Sequence, residues 1–187
     1  MAADDSPTPL SDGLVMEAPI PLSWEPLAGP APLGTSARNG RLLRVALLSE
    51  EHGHERNEEE GGQVPELLRL EYKVDLLLEL MAELLAGGQG GLPPRQARLG
   101  PKGIAWLEPE AVPAPGERLL LQLRPDPALP APLVLPARVS GVHEGEGGNW
   151  VTAPFEAPDP AVAEGLERLV FRHHRRQVAR MKRGADG

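Results

Sequence analysis

Residues 65–94 read PELLRLEYKVDLLLELMAELLAGGQGGLPP, and the fold turns on them: a long helix ends there and a different kind of chain begins. Pro65 suits a first helical turn, Glu66 complements the positive end of the helix dipole, and Gly87 supplies a left-handed stop. Leu67, Leu70, Val74, Leu77, Met81 and Leu84 recur at spacings of 3, 4, 3, 4 and 3, the a/d pattern of a left-handed coiled coil. Leu78 and Leu85 occupy e-type positions and Leu80 a g-type one, an apolar face too wide for a bare two-stranded seam. The six a/d residues are the candidate oligomerisation residues, and a dimer or tetramer of the chain is expected. Seven charged residues between Pro65 and Ala86 make the same helix unfit to span a bilayer.

Working outward, residues 87–94 (GGQGGLPP) can be neither helix nor central strand and mark a hinge. Charge divides at this seam. Residues 1–94 hold 16 acids and 6 bases, net −10, whereas residues 95–187 hold 11 acids and 13 bases, net +2. The whole chain of 187 residues stands at −8, which disfavours broad binding of polyanions. It has no cysteine, so disulfides, thiolate metal sites and cysteine nucleophiles are excluded. Six aromatics and 30 leucines require an aliphatic core.

Before the helix, residues 1–35 are rich in proline and read as a disordered or extended head, with Trp24 as a docking anchor. The acidic, proline-bearing start is the opposite of a signal peptide, so a cytoplasmic location is expected. Residues 36–86 read as a helical segment, with Leu42, Leu43, Ala46 and Leu47 on one face of a short helix, a charged loop at 50–62, and the heptad helix at 65–86.

Beyond the hinge the period changes. GIAWLE (103–108), RLLLQLR (118–124), PLVLPARVSGVHE (132–144) and NWVTAPFE (149–156) are short runs bounded by Gly, Pro and Asp, as in a small antiparallel sheet or barrel. Pro136 inside the longest run implies an edge or a bulge. Asp159-Pro160 then opens a helix whose second half is crowded with Arg168, Arg172, Arg175, Arg176, Arg180, Lys182 and Arg183.

No motif for catalysis emerges. There is no G-x-S-x-G, GGQGG is not a phosphate-cradling loop, and His52, His54, His173 and His174 do not match a metal-ligand spacing. An enzyme and a metal site are therefore not expected. The basic helix lacks interleaved aromatics for base stacking, so nucleic acid is not expected either.

Taken in order, the second half resembles a known family. A turn ending Lys102-Gly103-Ile104-Ala105-Trp106 precedes Pro115-Gly116-Glu117-Arg118 and an apolar strand. A long strand through Arg138 and Val139 follows, then a strand closing on Phe155, then a helix carrying ERLVFRHHRR at 167–176. This is similar to the PilZ domain family, six-stranded β-barrels with a C-terminal helix that serve as bacterial receptors for cyclic di-GMP. The likeness covers residues 93–183, and the heptad helix before it looks like an atypical branch with an inserted oligomerisation helix. The resemblance implies an α+β fold: a small six-stranded antiparallel β-barrel, a C-terminal helix and an N-terminal helical oligomerisation segment.

The resemblance also locates a degenerate ligand site at Arg95, Arg98, Gly100, Lys102 and Gly103. The family's R-x-x-x-R motif is missing, since Arg95 and Arg98 are three apart. Its [DN]-x-S-x-x-G motif falls on Arg98 to Gly103, where only Gly103 agrees. Arg98 offers donors where the family presents an acceptor, and Gly100 lacks the serine hydroxyl. Losing such charge-assisted bonds, at about 1.5–3 kcal/mol each, predicts weak or absent cyclic di-GMP binding and no resident cofactor. The expected role is a non-enzymatic regulator in the cyclic di-GMP network, acting through self-association and protein partners. The alternatives are a receptor that grips the nucleotide through Arg95, Arg98, Lys102 and the C-terminal arginines, and an RNA or membrane adaptor using the basic helix.

Overall fold

The computed structural model describes residues 14–51, 70, 73, 74, 77, 81 and 91–185. Its elements in chain order are β1 (Met16–Pro26), α1 (Thr35–Glu51), β2 (Pro94–Gly100), β3 (Gly103–Glu108), β4 (Arg118–Leu123), β5 (Leu133–Arg138), β6 (Gly141–Gly145), β7 (Gly148–Pro154) and α2 (Pro160–Ala185). The seven strands form one antiparallel sheet in the order β5-β4-β1-β2-β3-β7-β6. A bridge between Ala137 and Phe155 brings the β5 edge to the chain leaving β7, so the sheet curls toward closure. Its inner face carries Met16, Ile20, Leu22, Leu99, Ile104, Trp106, Leu121 and Val151, all at most 1% exposed.

Seven strands stand where six were expected, and the additional one comes from the proline-rich head. β1 lies in the head read as disordered or extended; residues 16–26 are extended and are paired into the sheet. Its first half, Met16 to Pro21, pairs with β2, and its second half, Leu22 to Pro26, pairs with β4. Leu22 donates to the Pro93 carbonyl on the β2 side, while the Pro21 carbonyl accepts from Arg124 on the β4 side. Pro19 and Pro21 thus fall at alternate positions whose missing N–H groups face away from β2, where no ladder bond is required. β2 was missed for the same reason, because Pro93 and Pro94 read as hinge; yet Ala97 and Leu99 alternate inward from Gln96 and Arg98. The run at 132–144 is two strands, broken at Val139 and Ser140, rather than one.

Pro136 sits on β5, at one end of the strand order, as its position in the run implied. Its carbonyl accepts from the Glu156 amide at 2.8 Å, so the residue points away from β4 and its absent donor costs that ladder nothing.

α1 and α2 pack together over the sheet. Leu42, Leu43 and Ala46 meet a stripe of Val162, Leu166, Leu169 and Val170, all buried. Asn39, 1% exposed, pins α1 to β5 by donating to the Val134 carbonyl and accepting its amide. α2 begins as its sequence requires, with Asp159 accepting the Ala161 amide at 2.9 Å. Arg172 then donates to Asp126 and to the Ala46 carbonyl, tying α2 to the β4–β5 connection and to α1.

Leu70, Lys73, Val74, Leu77 and Met81 are helical, in agreement with the heptad reading. The other two seam residues, Leu67 and Leu84, lie outside the described residues, as do the charged loop from residue 52 and hinge residues 87–90.

The helices approach closely at Gly165, where a Cβ would lie 2.9 Å from Leu43 Cδ1 and 3.0 Å from Leu43 Cβ. Gly165→Leu must force the helices apart, which outweighs the roughly 1 kcal/mol gained in helix propensity. Urea unfolding is expected to show a net loss of about 2 kcal/mol.

Candidate functional site

The five residues assigned to the ligand site lie on β2 and the hairpin that joins it to β3. Gly100 pairs with Gly103, leaving Pro101 and Lys102 as the turn. Side chains alternate along β2, so Arg95 shares the inner face of Ala97 and Leu99, whereas Arg98 lies on the outer face. The sequence grouped the two arginines, and the sheet separates them.

Arg95 closes one end of the sheet's interior. Its guanidinium pairs with Glu108, a carboxylate whose side chain is 2% exposed. The same Glu108 oxygen accepts the Trp24 indole N–H at 2.6 Å and the Trp106 indole N–H at 3.1 Å. Taking a carboxylate out of water costs several kcal/mol unless donors replace the lost hydration. Two indoles and a guanidinium do so here, which leaves Arg95 committed to the fold.

Arg98 belongs to a different arrangement. Its Nε lies 3.2 Å from Glu17 on β1, and its guanidinium stacks 5.1 Å from the centroid of Trp150 on β7. Trp150 can lie over β6 because Gly145 has no Cβ; one there would be 2.6 Å from the ring. Ala105, paired with Arg98 in register, is fully buried although it is on the outer face. Of the predicted cations, Lys102 alone has an exposed side chain with no ion pair among the described residues.

The C-terminal arginines are partly consumed as well. Arg172 and Arg176 lie 2.9 and 3.5 Å from Asp126, which is largely buried. A separate cleft of about 800 Å³ lies between the start of α1 and the 155–159 segment, lined by Arg41, Arg44, Pro136 and Phe155. It touches none of the five predicted ligand residues. Ala157 on its rim has φ 37°, in the left-handed region.

Glu108, Trp150, Glu17 and Asp126 escaped the sequence reading, and Trp24, read there as a docking anchor, docks on Glu108. The available signal was parity: once β1 is a strand, Trp24 falls on the face of Ile20 and Leu22. No group of three or more His, Asp or Glu able to hold a metal ion occurs among the described residues. No helix among them is long and apolar enough to cross a membrane.

The family model for the atypical PilZ domain, described as a cyclic di-GMP receptor, matches residues 42–183. The chain belongs to the atypical PilZ domain family. A pathogenic protein from Xanthomonas campestris, described as a new tetrameric PilZ domain self-assembled via an unusual helical bundle, is 31% identical. That match has a TM-score of 0.68 and covers 90% of this chain and 92% of the other. The cyclic di-GMP-bound PilZ domain of YcgR from Escherichia coli matches at 17% identity and a TM-score of 0.39, over 48% of this chain and 76% of that one. Among curated proteins none matches.

On the surface of this PilZ domain, Glu156 is a carboxylate held by two arginines. Arg118 donates to it through Nε at 2.9 and 3.0 Å and through its terminal nitrogen at 2.6 Å, and Arg138 adds a bond at 3.0 Å. The Arg118 hydrogen bonds hold the Glu156 carboxyl below the usual range, and the same bonds raise Arg118. A depressed carboxylate contributes stability above its unfolded value, about 4.3, and that contribution is lost as pH falls through the folded value. The stability advantage over Glu156→Gln is expected to be constant near neutrality and to shrink below about pH 4 in pH-resolved urea melts. Arg95→Ala strands the Glu108 charge and is expected to lose about 3 kcal/mol in the same assay at pH 7.

Proposed function

We propose that this PilZ protein is a non-enzymatic regulator of the cyclic di-GMP network that acts through self-association and protein partners, with the nucleotide contacts usual in the family weakened. One observation carries the reading. Leu70, Val74, Leu77 and Met81, at spacings of 4, 3 and 4, are between 46% and 59% exposed. An apolar stripe of this regularity left in water is stabilised by meeting copies of itself. The tetrameric description of the Xanthomonas relative supports the same assembly. Leu67 and Leu84 extend the stripe in sequence, and the leucines beside it favour four helices over two.

The nucleotide side of the proposal rests on the β2 geometry. Arg95 is engaged inside the sheet and Arg98 is stacked on Trp150, so the five predicted ligand residues do not converge on one point. A second reading, a receptor with non-standard arginine contacts, is favoured by the description of the family and by the exposed Lys102. An adaptor role for the basic helix is weakened by the commitment of Arg172 and Arg176 to Asp126.

Light scattering of the full chain is expected to give a dimer or tetramer, and Leu77→Glu, which places a charge in the seam, is expected to release monomers. Calorimetric titration with cyclic di-GMP is expected to show no site of about micromolar affinity. A monomeric parent chain removes the scaffold reading, and a micromolar site favours the receptor.

A further inference from the structure

The buried stripe of α2 faces α1 and the sheet, but its opposite face is also ordered. Arg168, Phe171, Arg175 and Val178 recur there at spacings of 3, 4 and 3, and the sequence carries the same register to Lys182. Phe171 is 49% exposed. Arg175 is exposed and has no ion-pair partner among the described residues. The Arg168 pair with Glu164 is between two side chains more than 60% exposed, a contact of little energy. Cationic and apolar residues alternating at heptad spacing suit an acidic amphipathic helix.

The chain itself supplies a sequence of that kind. Residues 65–86 contain five acids and two bases. In the heptad frame read from the sequence, Asp75, Glu79 and Glu83 take b, f and c positions, remote from the a/d seam, and Glu71 takes an e position beside it. An assembly joined through that seam therefore turns an acidic back outward. We propose that the outer stripe of α2 docks on the acidic back of the heptad helix of a second copy. This inference rests on the heptad helix being the self-association element.

Charge decides between occupants. A chain at −8 is repelled by nucleic acid and by anionic membrane alike, whereas its two halves, −10 and +2, attract one another. Once the seam has formed, the acidic back is presented at high effective concentration, so a modest contact is sufficient.

The test is a charge swap in the full chain, read by light scattering across a dilution series, with circular dichroism to confirm folding. Arg168→Glu/Arg175→Glu is expected to raise the concentration for half-dissociation about tenfold, and Asp75→Lys/Glu79→Lys to do the same. Combining all four substitutions is expected to restore assembly to within about threefold of the parent. An unchanged midpoint in the arginine variant, or no rescue in the combined one, overturns the docking while leaving the seam intact if Leu77→Glu still dissociates. A monomeric parent overturns both. Co-sedimentation of the parent, but not the arginine variant, with mixed phosphatidylcholine and phosphatidylserine vesicles assigns the stripe to lipid and also overturns the docking.

Discussion

The structure depends on one strand that has to bond in two directions. β1 gives its first half to β2 and its second to β4, and among the described residues no other strand lies between those two. Without it, β4 and β5 are held to the rest of the sheet only at the Ala137–Phe155 bridge, and the inner face that buries Trp106 and Leu121 is split. The hand-over also places Trp24 where its indole can reach Glu108. A strand with three prolines succeeds in this role because each half is asked to hydrogen-bond on one side only.

That arrangement explains which parts of the fold were legible. β3, β4 and β7 announce themselves because Gly and Pro punctuate short apolar runs, and α2 because Asp159-Pro160 is an unambiguous start. β1 and β2 hide because proline is a poor strand former in general, and its cost vanishes only when the topology supplies a free side. Sequence alone does not carry that topology. The heptad helix was readable from period alone, and its described residues are helical and exposed.

Arg95 and Arg98 part from one another for a related reason. Arg95 and Arg98 are near neighbours in sequence, and an odd spacing sends them to opposite faces once β2 is a strand. Their partners come from β3, β1 and β7, between 13 and 81 positions away for the ion pairs. A residue type marks a candidate; the pleat and the long-range partner decide what it does. The atypical PilZ assignment does not depend on these contacts, since the family model matches across residues 42–183.

Arg172 reaches Ala46 across 126 positions, and β1 meets β2 across the segment that carries α1 and the heptad residues. Contacts this remote in sequence form late, because the intervening loop must first be closed. During synthesis the amino-terminal strand is complete long before either of its pairing strands leaves the ribosome. The leucine-rich stretch at 65–86 is made in that interval, so β1 waits without its sheet partners while the most apolar part of the chain is being synthesised.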